Sequence, residues 1–575
     1  EVAYNLMLYS QRRQLHQAVA EWIEHSNERN LESYYPLLAH HWTQAAEAHD
    51  AARNELAIRK AVEYLEKAGE QAMQNYANKE AIQFLSTALE WDAKLPQPEG
   101  RDALRRHQLR RARWHGRLGL AYYGLGLLPD CNQHVHEALI LLGNPIPTKN
   151  IQFGLGLFPQ IIRQVSHRYF PTRYIGSVKG DEREIALEVS RLYELMSRIY
   201  FYSNETLPIM YTVLRFLNEA EKAGISPELA SAYSNMGVLA GFAQLHNLAE
   251  TYVSRGLAVA EAVNQPSNLI TVSVVTSAYK LTVGKWDEVR ERVEEAKAIC
   301  EQLGDYRQWG DCTAMLGESA LISGDLHYAV KIQKVLLDDA RRRRSPLHQC
   351  WGLLGVARNS IRLGNEADAI HMLEEALEIL KETPNLSSSI ETNGQLALAH
   401  CRLNQNEAAF DYVKKVLDLS ANISPTVYSM NIGFAAVADA CFELWEKALQ
   451  AKPVTDSEQY KVLAERAIKP VRAFQGVFPI GQPVTPYYQG WYEWLTGKPE
   501  AALKAWQRGL DAALKFNMPY EEGLIRVKLG AHQKDDEQKT HFERAIQIFE
   551  NMGAAHELKL ARAEAHKAGF KELAQ

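Results

Sequence analysis

Apolar positions recur through most of the chain at spacings of three and four. They fall in helix-length segments separated by short polar breaks, and no stretch alternates with the period of two that a half-buried strand needs. The breaks are themselves periodic. Gly284, Gly324, Gly364 and Asn404 each sit in one, 40 residues apart, and the same step backwards lands on Gln244 and Asn204. Gly and Asn suit a turn that ends a helix because they tolerate positive φ.

Around each break the residue sizes repeat. Seven residues earlier stand Gly237, Ser277, Gly317, Ala357 and Ala397, all small. Five after come Ala249, Val289, Ala329, Ala369 and Ala409. Nine after come Val253, Val293, Gln333, Leu373 and Val413, and twelve after Gly256, Ala296, Leu336, Ala376 and Val416. The last three positions share one helix face. Small residues there let two helices approach closely, so each unit reads as a helical hairpin in the tetratricopeptide register. The same register recurs around Tyr76 (Gly69, Ala81, Leu85, Ala88), Gly126 (Gly119, Val135, Ala138) and Gly497 (Gly490, Ala502, Trp506, Gly509). The unit at Asn204 departs from it, with Phe216 at a small-residue position. The expected fold is therefore an all-α solenoid, a superhelix of tetratricopeptide-like hairpins with a period of about 40 in its centre. A HEAT-like array, of similar period, is the competitor that the small-residue register disfavours.

Proline and glycine punctuate this pattern. Leu95 to Gly100 reads as a helix stop and linker, Gly143 to about Asp181 as an irregular connector, and Gln475 to Pro486 as a second irregular stretch. The expected organisation is a helical lead-in with a first repeat over 1–95, a repeat plus connector over 101–181, a central solenoid over 182–450 and C-terminal repeats over 451–575.

Composition narrows the function classes. A net charge of −6 over 575 residues, with 46% apolar and 23% charged positions, describes a folded protein without the basic excess of a dedicated nucleic-acid binder. Cys131, Cys300, Cys312, Cys350, Cys401 and Cys441 form no C-x-x-C pair. They read as reduced, buried residues of a cytoplasmic protein. The opening residues do not read as a signal peptide. Val2 to Tyr9 reads as mid-helix, so a segment of a longer polypeptide is expected. The longest apolar stretch, Ile151 to Ile162, contains Gly154, Gly156 and Pro159 and is too short to span a bilayer.

Candidate chemistry is sparse. His40 and His41 are adjacent, which points them about 100° apart on a helix, so they do not chelate well; they read as an ordinary helix face, as do His134 and His136. Arg341 to Arg344, and Arg105, Arg106, Arg110, Arg111 and Arg113, offer charge for phosphate but no interleaved aromatics for base stacking. They read as solvated faces, the first also favoured by a helix C-terminus. Trp22, Trp91, Trp114, Trp491, Trp494 and Trp506 read as packing residues. No P-loop, H-E-x-x-H or G-x-S-x-G motif is present. The expectation is no catalytic, cofactor-binding or metal-binding residue, no cofactor, and an undetermined partner-binding surface.

Several stretches carry a resemblance. Leu8 to His16 with Ala18-Val19-Ala20, and Leu37 to Trp42, resemble helices that follow the winged-helix part of signal-transduction ATPases; Ala61 to Ala88 resembles their first repeat. Leu139 to Pro147 and Met518 to Gly523 resemble passages in the C-terminal half of class III adenylate/guanylate cyclases of the soluble adenylyl cyclase type. The resemblance implies a regulatory or sensor arm whose partner is a protein, a peptide or the neighbouring ATPase and cyclase domains. Related arms follow protein kinase domains and occur in transcription regulators, and a free-standing adaptor is the alternative. No catalytic or phosphate-binding motif of the family matches a position in this chain.

Overall fold

The computed structural model describes the chain except residues 1–3, 5–6, 48–53, 76, 422, 451–456, 534–536 and 575. Every regular element among the described residues is helical. The chain divides into two compact units, residues 1–200 with 207–224, and residues 201–206 with 225–575.

The expected turns form. Asn204, Gln244, Gly284, Gly324, Gly364 and Asn404 all have left-handed backbone, with φ between 58° and 92°. A second phase lies midway between them. Gly224, Asn264, Gly304 and Arg344 are also left-handed and end the second helix of each hairpin. A helix-terminating residue therefore recurs every 20 residues from 204 to 364. The series misses position 384, where Pro384 fixes φ at a negative value.

The small–large register has a direct physical basis. A Cβ on Gly237 would lie 2.9 Å from Val253, one on Gly119 2.8 Å from Val135, one on Gly69 2.7 Å from Leu85, and one on Gly490 2.5 Å from Trp506. Each pair is 16 residues apart, so the missing side chain on the first helix is the space into which the second helix inserts its large one. Ala369, Leu373 and Ala376 are fully buried in the same way. Both units use this packing. Tyr76, expected at the first turn, lies outside the described residues.

Unit 2 carries a second layer that runs along the row of turns. Phe478 packs edge-on against Phe242, with ring centroids 5.2 Å apart. Phe516 lies under Gly284, and its carbonyl accepts from Trp286 Nε1 at 2.8 Å. Pro519 and Met552 lie against Gly324, and Ala555 against Gly364. The Arg362 guanidinium sits 3.6 Å over the Tyr520 ring, and Arg402 pairs with Glu557 at 2.5 Å. Phe242, Arg362 and Arg402 are equivalent positions in the 40-residue period, each near the end of a first helix. One structural position thus clamps successive C-terminal segments.

Four expectations change. The connector expected over 143–181 is largely helix, Asn150–Tyr169 and Pro171–Tyr174, with Pro159 inside the first. Proline there removes one backbone hydrogen bond, which the helix sustains. The stretch Gln475 to Pro486 is irregular only in part: Pro479–Gly481 is a 3-10 turn, and a helix starts at Val484 with Pro486 in its first turn, where no intrahelical N–H partner is needed. Within Val2 to Tyr9, residues 2–3 and 5–6 lie outside the described residues; Met7 and Leu8 are non-helical and a helix starts at Tyr9. Trp22 is 66% exposed and is no packing residue, whereas Trp114 and Trp506 are fully buried. Phe216, the register violation, is fully buried in a helix surrounded on most sides.

Candidate functional site

Helix Asn150–Tyr169, in unit 1, has a long apolar face turned to solvent. Ile151, Leu155, Phe158, Ile162, Val165 and Tyr169 follow one another at steps of four, three, four, three and four. That spacing is one helix face, and all six are exposed, from 48% at Val165 to 75% at Tyr169. Covering a side chain of this size removes enough apolar surface from water to contribute about 1.5–3 kcal/mol when burial is complete. Isolated exposed leucines are ordinary; a contiguous stripe of this length marks an interaction surface.

The opposite face is buried, apolar at Phe153 and Leu157 and polar in its C-terminal half. Gln160, Gln164 and His167 are each less than 8% exposed and meet helix Thr206–Ala223 of the same unit. Asn218 Nδ2 donates to Gln160 Oε1 at 3.1 Å, and Gln164 Nε2 donates to Glu221 Oε2 at 2.9 Å. His167 Nδ1 shares that Glu221 oxygen at 2.7 Å, with the Tyr174 ring stacked on the imidazole. Gly156 permits the approach, since a Cβ there would lie 2.8 Å from the Tyr211 ring. Hydrogen bonds to a carboxylate are directional and hold one rotation of the helix, so the apolar stripe is fixed outward.

Unit 2 holds a different kind of site. A cavity of about 90 Å³ lies among its layers, lined by Arg358, Gln395, Asn431, Asp439, Tyr487 and Tyr520 among others. Arg358 stands between two carboxylates: Nη1 donates to Glu391 at 2.7 Å and Nη2 to Glu318. Burial and the Glu318 charge push Glu391 up to about 7 despite the guanidinium. Burial, reinforced by Glu443, also pushes Asp439 up to about 7, while Tyr488 donates to it at 2.9 Å. Arg358 Nε and Asn431 Oδ1 are buried without a hydrogen-bond partner in the protein. The volume suits a few waters, so this is a polar core and not a chamber for a large effector.

The basic clusters are largely neutralised. Arg110 binds Glu66 and Arg113 binds Glu184, both at 2.7 Å, while Arg111 lies 3.8 Å from Asp92. Arg341 binds Glu375 with both oxygens at 2.8 Å, Arg343 binds Asp339 at 2.9 Å, and Arg344 is the left-handed cap. Arg341, Arg342 and Arg343 lie in the last turn of helix Leu326–Arg343, whereas Arg105 to Arg113 lie in the interior of helix Arg101–Gly124.

The histidines assemble in a way that their sequence spacing does not reveal. His16 comes from helix Tyr9–Ser26 to join His40 and His41 of helix Tyr35–Ala46, and ligating atoms of all three lie within 4.8 Å of one another. His40 and His41, expected to be an ordinary helix face, thus join a histidine cluster, because the third imidazole comes from a neighbouring helix. His134 pairs with His115 at 3.0 Å, and no third metal-ligating group joins these two imidazoles among the described residues.

No family model matches the chain, and no curated protein matches it. Solved structures with similar helical arrangements include a Rap protein complexed with competence and sporulation factor, 11% identical over 64% of this chain and 99% of that one, with a TM-score of 0.43. The APC/C hetero-tetramer Cut9-Hcn1 is 14% identical over 94% of this chain and 96% of that one, with a TM-score of 0.42. A monomeric IFIT1 mutant with Gppp-AAAA is 14% identical over 74% of this chain and 93% of that one, at 0.38.

Proposed function

We propose that this chain is a non-catalytic helical-repeat scaffold that binds a protein partner through the exposed apolar face of helix Asn150–Tyr169. The observation that carries the reading is the outward face of that helix: Gln160, Gln164 and His167 are buried and hydrogen-bonded on the other side while six large apolar side chains face solvent. The occupant that fits is the apolar face of a partner helix, which matches a straight stripe at steps of three and four.

The resemblance to signalling ATPase–cyclases supports a finer role as the regulatory arm of such a protein, in a cytoplasmic setting, with its own neighbouring domains as the partner. Under the adaptor alternative the partner is a separate protein. Absence of catalysis is supported by the lack of any glycine-rich phosphate cradle with a lysine and carboxylate-held Mg²⁺. Among the described residues no helix is long and apolar enough to cross a membrane.

The test places a photo-crosslinking amino acid at Phe158 in the source cell and, as a control, at exposed Glu182. The protein captured at 158 is then purified and titrated against the chain. The reading expects a complex lost, by tenfold or more, in Phe158→Glu/Ile162→Glu. Adducts with lipid only, or equal capture from both positions, contradict it. Turnover of ATP that copurifies with the chain through several columns contradicts the non-catalytic part.

A further inference from the structure

We propose that His16, His40 and His41 form a three-imidazole site for a divalent transition metal ion of the zinc class. The ring centroids of His16 lie 5.0 Å from His41 and 5.8 Å from His40, and those of His40 and His41 are 5.2 Å apart. His16 Nδ1 and His41 Nδ1 approach to 2.8 Å. Tetrahedral coordination at about 2.0–2.1 Å per bond separates ligand nitrogens by roughly 3.3 Å. Small rotations of the rings open the cluster to that geometry.

The surroundings suit a metal site in three respects. The second nitrogen of His16, Nε2, is 2.8 Å from the Tyr4 hydroxyl. That contact orients the ring and selects the tautomer, as outer partners of ligating histidines do. Burial and the neighbouring imidazoles hold His16 and His41 below the ordinary histidine range. Exposure is graded: His16 is buried, His41 half-buried and His40 exposed, which gives an ion a route in and leaves a fourth position for water. The ion would tie helix Tyr9–Ser26 to helix Tyr35–Ala46. Borderline ligands and a small coordination number favour zinc over magnesium or calcium, which take oxygen ligands.

The molecule provides its own control. His115 and His134 also meet nitrogen to nitrogen, at 3.0 Å, but the Tyr122 ring stacks on His134 and no third ligand joins them among the described residues.

The test strips the purified chain with a chelator and titrates Zn²⁺ against a chromophoric competitor. One tight equivalent is expected. His16→Gln and His41→Gln should each weaken it at least tenfold, while His134→Gln leaves it unchanged. Zn²⁺ should raise the melting temperature of the wild-type chain and not of the first two variants. Far-ultraviolet circular dichroism establishes that each variant is folded. Co²⁺ bound to the wild type should give the intense visible bands of four-coordination, lost in the same two variants. No bound equivalent, six-coordinate Co²⁺ bands, or undiminished wild-type affinity in His16→Gln and His41→Gln overturns the proposal; so does a loss shared by His134→Gln.

Discussion

Helix Asn150–Tyr169 in unit 1 and the clamped first helices of unit 2 both bury polar side chains, with opposite consequences. In unit 2 the buried ions lie beneath another layer: Arg402 and Glu557 are 4% and 2% exposed, and Tyr520 donates to the same carboxylate at 2.9 Å. There, polarity fixes one stretch of the chain against another. In unit 1 the buried polar groups of the helix fix its rotation, and a stripe of six large apolar side chains is left facing solvent. The same chemistry locks a closed interface in one region and presents an open one in the other. A buried polar network is therefore no guide to a binding site until the opposite face has been read.

The comparison breaks most visibly at Glu557. Glu557→Leu leaves Arg402 buried without its partner, and such losses cost about 3–5 kcal/mol. The double variant Arg402→Leu/Glu557→Leu should recover most of that, because the pair itself is worth little beyond its apolar replacement. Chemical denaturation of both variants checks this. A single variant as stable as the wild type would show that the C-terminal layer is not clamped there.

Next in size is the helix contact inside one hairpin. Ala369→Leu should overpack a fully buried site and cost about 1–3 kcal/mol, read from the denaturation midpoint. An unchanged midpoint contradicts the assigned face.

A smaller effect concerns pH. Asp439 keeps its proton in the folded chain up to about 7, whereas an unfolded aspartate loses it near 3.9. Between those values the folded state binds more protons, so this group's contribution to stability falls as pH rises from about 4 to about 7 and is flat above. Asp439→Asn keeps an acceptor for Tyr488 and removes the titration. Its melting temperature relative to wild type should rise across that window, by roughly 2 °C or more at pH 8. Parallel curves contradict a buried, raised carboxyl.

The smallest effect on folding is expected at the open face. Phe158→Glu/Ile162→Glu should move stability by no more than about 0.5 kcal/mol, because both side chains are already in water. A cost of several kcal/mol would mean that the stripe is covered within the chain.

Much of the fold was legible because one register repeats. The spacing from Gly284 to Asn404, and the small residues 16 positions before large ones, name both the turns and the helix faces. The second phase of turns was also present, in Gly224, Asn264, Gly304 and Arg344, and Pro227, Pro266 and Pro346 two or three residues later mark the helix starts. What the pattern could not supply is contact between segments far apart in sequence. Nothing local pairs Arg402 with Glu557, 155 residues away, or His16 with His41. Helix Asn150–Tyr169 was hidden for another reason. Pro159, Gly154 and Gly156 suggest a break, and an apolar stripe is ordinarily taken as the buried face. Its steps of four and three were readable; which side faces inward depended on Asn218 and Glu221 of another helix.

The most direct test of the open face is carbene footprinting of Phe158 and Tyr169. The chain is labelled once in the native assembly isolated gently from its source cell, and once purified alone. The account predicts strong labelling of both residues in the isolated chain and at least a fivefold loss in the native assembly, with Trp22, exposed elsewhere in the same unit, labelled equally in both. Equal labelling of Phe158 and Tyr169 in the two samples would contradict the claim that this face is where a partner binds.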